Sequence, residues 1–437
     1  MYDIDPPAVY AHETVMAEAS YRARVERVVA ALRQPKEIIT YNDDQLPEMI
    51  LKDGLLRGRK AMGTLPEGPV DPILLFNTFR FDGPEKKKER LQALADGGVK
   101  SGSLQPLVGA GAFHWFDANL CTDKFKDDKV CRPCWRIHLQ NGCIHKCSYC
   151  ALGGLLVGMV NVEEYCQHLG DLIEKHPWQT TYLLDDDADP PGLEPELGCL
   201  GPLIEYFGTL DDRYLIIHTK TWNTEWMRDL KHNGNTIIVW SISGPNQSRQ
   251  IEPDTGTTEQ RIEAARIAQE AGYQIRYKFK PIIPVVNWRE DASETIRLIF
   301  EETQPDVISL CCFMWMDVDE MKRRLPTELL DQDFLQAAEE GREEVKDTRA
   351  QPFPAWVRKE IYDHHLNEIR RHDREVPVSL STENWKMWNE FSSKLGMNAV
   401  NYVCGCGPQS TPGHKKLTVH PFKIAVRNDA GIPGVVG

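Results

Sequence analysis

The 437-residue chain carries 51 Lys and Arg against 65 Asp and Glu, a formal charge of −14 that excludes broad nonspecific attraction to polyphosphate and leaves room only for a locally basic groove. One large catalytic domain with appendages, or two to three domains, fits this length. Twelve cysteines, a polar, Pro-rich start over residues 1–10 in place of an apolar leader, and no apolar run of membrane-spanning length predict a soluble, oxygen-sensitive cytoplasmic protein that ligates metal rather than forming disulfides.

In chain order, Val15, Ala19, Val25, Val28, Val29 and Leu32 recur near helical spacing and predict an amphipathic helix over 14–32, followed by a short strand over 37–41. These open a small α/β N-terminal segment, residues 1–130. From about 82 to 111 the text turns charged and Gly-rich, the composition of exposed connecting segments. The triplet Lys86 to Lys88 reads there as a solvated run or, alternatively, a binding patch.

Residues 135–140 alternate apolar Trp135, Ile137 and Leu139 with polar Arg136, His138 and Gln140, the period of a strand with two different faces. The loop after it carries Cys143-x3-Cys147-x2-Cys150. A closed zinc or iron–sulfur site takes four protein ligands, so three clustered thiolates leave one metal position open. The bland alternative is three structural cysteines, or a zinc site shared with Cys131 and Cys134.

Beyond Cys150 strands and helices alternate. Strands are predicted over 180–184, 214–220, 236–243, 273–280 and 307–313, and helices over 162–176, 200–207, 222–232, 257–272 and 292–303, with Thr257 and Gln260 as a capping box. Counted from Trp135 this makes six βα units, a partial (β/α)6, TIM-barrel-like domain over 131–320 with its active groups at the C-terminal strand ends. Helices cover the outside of such a barrel, so the polar face of each strand points into the lumen. That face brings Arg136, His138 and Gln140, then His218 and Lys220, Ser241 and Ser243, and finally Arg276, Lys278 and Lys280. Three cations need partners there, supplied either by the acidic loop Asp185 to Asp189 or by an anionic substrate, for which Arg276, Lys278, Lys280 and His218 are the candidate contacts. Cys311 and Cys312 end the sixth strand, and only one can face the lumen.

Residues 321–437 form a mainly helical extension. Helices are predicted over 321–325, 333–346, 356–371 and 383–394, the last capped by Thr382, with a strand over 376–380; Trp385 and Trp388 read as packing residues. Near the end stand Cys404-Gly-Cys406-Gly and Ser410 to His414. Cys404 and Cys406 are candidates for a catalytic role as redox pair or hydrogen-atom donor, or for a second metal site with Cys131 and Cys134.

From about 141 to 315 the chain resembles the spore photoproduct lyase family of radical S-adenosylmethionine (SAM) enzymes. The match rests on Gly142-Cys143-x3-Cys147-Ser-Tyr149-Cys150, Asp189-Pro-Pro-Gly-Leu193-Glu194, Glu205-Tyr-Phe-Gly208, Thr219-Lys220, His232-Asn-Gly234, Trp240-Ser241-Ile242, Glu252-Pro-Asp-Thr-Gly256, Arg261-x2-Ala264-Ala265 and Ala271-Gly272-Tyr273 with Pro281-Ile282. The resemblance implies that Cys143, Cys147 and Cys150 ligate a [4Fe–4S] cluster whose fourth iron SAM chelates before one electron cleaves it to a 5′-deoxyadenosyl radical. It also implies that Tyr149, Lys220 and Ser241 contact SAM, and that a reductant such as flavodoxin or ferredoxin supplies the electron.

Three departures stand against it, one being the basic face of Arg276, Lys278 and Lys280, which the family lacks. Where the family's lyases keep a hydrogen-donating cysteine at the end of strand two, this chain has Asp186, and Ala151 replaces a tyrosine of the same radical relay. Asp186 can take a proton or orient the ammonium of SAM, but it cannot give up a hydrogen atom. The expectation is therefore a radical SAM enzyme acting on an anionic small molecule, nucleotide or peptide. The alternatives are a photoproduct lyase acting on duplex DNA with a relocated donor, and a non-catalytic iron–sulfur binding protein.

Overall fold

The computed structural model describes residues 3–56, 71–99, 105–116 and 129–413, with three two-residue strands beyond them; His414 lies outside the described residues. Six strands pair in the order in which they occur, each parallel to the next: β1 (Cys134–Ile137), β2 (Thr181–Leu184), β3 (Tyr214–Thr219), β4 (Thr236–Ile242), β5 (Gln274–Ile282) and β6 (Ile308–Cys312). Parallel neighbours need long crossovers, and the helices Val162–Lys175, Leu200–Gly208, Thr258–Glu270 and Trp288–Glu302 run in them. The strand β7 (Val378–Leu380) extends the sheet beside β6, and Phe113–Phe116 closes the other edge antiparallel to β1. The α/β class, the parallel sheet and the helical C-terminal region are as expected.

Period-two alternation sorts the two faces of the sheet. Tyr182, Leu184, Leu215, Ile217, Ile238, Trp240 and Tyr277 join the main core, while Leu183, Ile216, Ile237 and Val239 form a separate small apolar cluster on the opposite, lumenal face. Of the paired cysteines, Cys312 belongs to the main core, whereas Cys311 is within electrostatic reach of Lys278 and Lys280 on the lumenal side.

A second sheet of five strands has the order Ile38–Tyr41, Val9–His12, Ile73–Asn77, Leu155–Met159, Gln140–Asn141. It takes strands from both sides of residue 130, and the barrel sheet takes strands from before 131 and after 320, so neither expected boundary separates one sheet from the next. The chain leaves β1 at Ile137 and re-enters the other sheet at Gln140, so the cysteine loop hangs where the two sheets meet.

Several local expectations fail for identifiable reasons. Pro84–Asp96 is a helix, not a connecting segment: Pro at its start and a run of strong helix formers outweigh the low apolar content. Residues 222–232 hold only the short turn Glu225–Met227, where the Trp226 indole donates to Asn223 O at 3.0 Å. The first helix breaks at Glu18, whose φ −103°, ψ 122° is extended. Asn384, not Thr382, caps Trp385–Leu395, because Thr382 sits at φ 64°. Trp385 and Trp388 are buried as packing residues.

Candidate active site

The three-cysteine loop is anchored by its backbone. Gly142 has φ 93°, and a Cβ there would lie 1.9 Å from Leu155 O, so only glycine lets the loop cross this strand. Gly142 N donates to Asp187 O at 2.9 Å, Cys143 N to Leu152 O at 3.1 Å, and Ser148 N to Ile251 O at 2.9 Å. Lys146 bridges Asp71 at 2.8 Å and Asp254 at 2.7 Å, while His145 contacts Asp189 at 3.0 Å and Asp254 O at 2.5 Å.

The loop thiols fit an iron–sulfur cluster. His145 N donates to Cys143 Sγ at 3.4 Å and Leu152 N to Cys150 Sγ at 3.5 Å, the backbone donors that a cluster-bound thiolate accepts. Cys143 is within electrostatic reach of both Cys147 and Cys150. Burial pushes the Cys147 thiol up to about 12 and Cys143 well above its usual value, so a bound positive centre is needed to hold them as thiolates. Among the described residues no three His, Cys, Asp or Glu side chains converge on one point as a single ion requires; a cluster places its cysteines on separate irons.

Beside the loop lies a network the sequence reading only half identified. Lys220 Nζ lies 2.5 Å from Tyr149 Oη and 2.7 Å from Glu252 Oε1, and Tyr149 donates to Glu252 at 2.8 Å. Arg261 holds the other Glu252 oxygen at 2.6 Å, Ser243 donates to it at 3.0 Å, and Gln247 donates to Oε1 at 3.0 Å. Burial pushes the Glu252 carboxyl up, but Lys220 and Arg261 outweigh it and hold the group well below the usual carboxylate range. Burial, then the charges of Cys147 and Glu252, raise Tyr149 far above its ordinary value. Ser241 lends its carbonyl to Arg261 at 2.9 Å. Glu252 and Arg261 were visible in the sequence, but their pairing runs through tertiary contact and leaves no periodic trace.

Among the described residues the acidic loop after β2 forms no ion pair with the β5 cations; its carboxylates pair with Arg136, His138 and His145. Asp185, at φ 43°, accepts from Leu139 N at 2.9 Å and Gln140 N at 3.0 Å and contacts His138 Nδ1 at 3.0 Å. His138 Nε2 in turn lies 2.6 Å from His114 Nδ1. Asp186 pairs with Arg136, whose guanidinium lies over the Phe116 ring at 3.3 Å. Burial pushes Asp186 up, but Arg136, His138 and Lys280 hold it below the usual carboxylate range. Asp189 takes Thr219 Oγ1 and Lys220 N, each at 2.7 Å.

The β5 cations instead part company. Arg276 is fully buried, held by Asp306 at 2.6 Å and donating to Gly405 O at 2.9 Å and Ser410 Oγ at 2.8 Å. It is a clamp on the C-terminal segment, and its expected substrate contact is corrected. Lys280 lies 5.2 Å from the Trp315 ring centroid, and burial with Lys278 nearby lowers it to about 8. Lys278 and His218 face Cys406, whose Sγ is 3.9 Å from that of Cys404. The two pairs Cys131/Cys134 and Cys404/Cys406 therefore meet in the barrel.

Residues 121–317 match the family model for spore photoproduct lyase. Similar proteins include the spore photoproduct lyases of Clostridium acetobutylicum, 28% identical over 39% of this chain and 54% of the relative, and of Bacillus subtilis, 30% identical over 36% and 48%. This part of the chain, 121–317, is similar to the spore photoproduct lyase family. The matched part spans about half the length of these curated relatives. The fold of the spore photoproduct lyases extends further, as in a double mutant with bound AdoMet and dinucleoside spore photoproduct: TM-score 0.59 at 17% identity, over 87% of this chain and 99% of that one. Asp186, tied to Arg136, stands just past the end of β2.

Proposed function

We propose that this chain is a radical SAM enzyme. A [4Fe–4S] cluster on Cys143, Cys147 and Cys150 supplies the reductive cleavage of SAM to methionine and a 5′-deoxyadenosyl radical, which abstracts hydrogen from an anionic small molecule, nucleotide or peptide. The observation that carries the reading is the contact of the three-cysteine loop with the Tyr149–Lys220–Glu252–Arg261 network. Such a site offers fixed charges of both signs to the ammonium and carboxylate of SAM, without the cost of ordering them on binding. Ser241, on the lumenal face of β4, completes the wall beside it. Lys280 is the cation nearest the open strand ends that no carboxylate of the described residues pairs with, and it is the residue we assign to the anionic substrate.

A second reading, repair of spore photoproduct in DNA, is favoured by the relatives. It is opposed by Asp186, since a carboxylate O–H bond is too strong to give a hydrogen atom to a carbon radical. The test is anaerobic reconstitution followed by dithionite or flavodoxin reduction with SAM. The reading expects 5′-deoxyadenosine and methionine, both lost in Cys147→Ala; wild-type-like cleavage by that variant would refute it.

A further inference from the structure

Lys278 lies in the lumen at 5% exposure, and no carboxylate among the described residues forms an ion pair with it. Four cysteines lie within its electrostatic reach: Cys406, Cys311, Cys404 and Cys131. On this lumenal side Cys406 packs against Leu183, Ile216, Ile237 and Val239, and its Sγ stands 3.9 Å from that of Cys404. Several thiolates side by side repel one another unless a metal centre binds them.

The surrounding chain is built to hold these sulfurs. Gly405 packs so tightly on β6 that a Cβ there would lie 2.8 Å from Ser309 Oγ, and one on Gly407 would lie 3.0 Å from Cys404 Cβ and 3.5 Å from Arg132 Cδ. The absence of a Cβ at both positions gives Cys404 and Cys406 room to pack closely here. Arg132, between Cys131 and Cys134, donates to Tyr402 O at 2.9 Å and lies 4.3 Å from that ring's centroid, fastening the first pair to the second. Arg276 holds Gly405 O, while Thr180 N and Thr181 N donate to Pro408 O at 3.0 and 2.9 Å. Cys131 is within reach of Cys404, and Cys134 of Cys131 and Cys406.

We propose that Cys131, Cys134, Cys404 and Cys406 hold a second iron–sulfur cluster, of two irons, with Cys131 and Cys134 on one iron and Cys404 and Cys406 on the other. The pairing follows from the geometry: Cys404 and Cys406 stand 3.9 Å apart, as two ligands of one metal atom do, whereas among the described residues no three His, Cys, Asp or Glu side chains converge on a single ion. A two-iron cluster with four thiolates is a net dianion and supplies the charge that Lys278 lacks. Unlike the three-cysteine loop, this site is closed, with every iron saturated by sulfur, so it binds no SAM and its chemistry is one-electron transfer. The diferric form would take up one electron from a flavodoxin- or ferredoxin-class donor to give the mixed-valence form, with no bond made or broken.

The experiment removes the first cluster to see the second. The full-length Cys143→Ala/Cys147→Ala/Cys150→Ala variant, reconstituted anaerobically with iron and sulfide, should retain about two irons and about two acid-labile sulfides per chain. Adding Cys404→Ser/Cys406→Ser should remove both, while adding Cys311→Ser instead should leave both, which separates ligand loss from misfolding. Lys278→Met in the same background should keep the irons and move the midpoint potential to more negative values, since a cation beside a cluster favours its reduced form. Stoichiometric zinc without sulfide, about four irons, or no metal with freely alkylated Cys404 and Cys406 would each overturn the assignment. Failure of SAM cleavage in the otherwise wild-type chain would count against the proposed function alone.

Discussion

The rim and the floor of the barrel treat buried charge in opposite ways. At the rim, Glu252 lies between Lys220 and Arg261, Asp189 between His145 and the start of the Lys220 loop, and Asp186 against Arg136. On the floor, Lys278 forms no ion pair with a carboxylate among the described residues, and the thiols of Cys406, Cys311, Cys404 and Cys131 lie within its electrostatic reach. A rim complete in itself can orient a zwitterionic cofactor without rearranging. A floor that lacks its anions is complete only when something is bound there.

The largest expected effect breaks the rim at its metal end. Cys147→Ala should abolish 5′-deoxyadenosine formation and remove the irons of the loop cluster, measured by product chromatography and iron analysis. Beyond its fellow ligands Cys143 and Cys150, no described cysteine lies in that loop to replace it.

Next in size are two buried ion pairs, Arg261–Glu252 and Arg276–Asp306. Glu252→Gln leaves Lys220 and Arg261 facing a neutral group, and losing one partner of a buried pair costs about 3–5 kcal/mol; denaturant unfolding should register it together with weakened SAM binding. The sign with pH follows from the depressed carboxyl: its contribution is fully present above the ordinary Glu value of about 4.3 and is lost as pH falls below it toward the folded value. Arg276→Met should cost about as much stability by orphaning Asp306, yet leave substrate KM unchanged. A raised KM with unaltered stability would return Arg276 to the substrate site.

That last contrast shows what was legible in sequence and what was not. The three cysteines fall within eight positions, and their chemistry is local, so spacing alone exposes it. The lumenal identity of Arg276, Lys278 and Lys280 is equally local, since alternation along one strand sets the face. Their partners are not local. Asp306 is 30 residues from Arg276 and Ser410 is 134 away, so the same pattern ends as a structural clamp, a thiol-facing cation and a cation at the strand end. The strand Leu155–Met159 was missed because five consecutive buried residues show no alternation, and because it belongs to the other sheet.

A smaller effect is expected at Lys280. Lys280→Met should weaken binding of the anionic substrate by about 1.5–3 kcal/mol, the worth of a charge-assisted hydrogen bond, and leave uncoupled SAM cleavage intact. Because burial and Lys278 lower this lysine to about 8, the wild-type protein should lose substrate affinity as pH rises through that value, and the variant should show no such loss. Titration calorimetry across pH 6 to about 9 reads both. Unchanged affinity would make Lys280 a structural neighbour of Trp315.

The mildest change is expected at Asp186, and it bears on which reaction the rim performs. The carboxylate is partly exposed, with 26% of its side chain accessible, and its ion pair with Arg136 is therefore worth only about 1 kcal/mol. Asp186→Asn should accordingly leave the fold intact and reduce SAM or substrate positioning by several-fold, because Arg136 is then free to swing off Phe116. Asp186→Cys puts a hydrogen-donating group where the photoproduct lyases are expected to keep one, but it also removes the only carboxylate paired with Arg136 among the described residues. If the native substrate needs no thiol from this strand end, that variant will turn over no faster than Asp186→Ala, and neither it nor the unmodified protein will repair dinucleoside spore photoproduct at a measurable rate. Efficient repair by the unmodified protein would instead make the rim a lyase site with its donor elsewhere, and alanine substitution of Cys404 and Cys406 in turn would locate that donor.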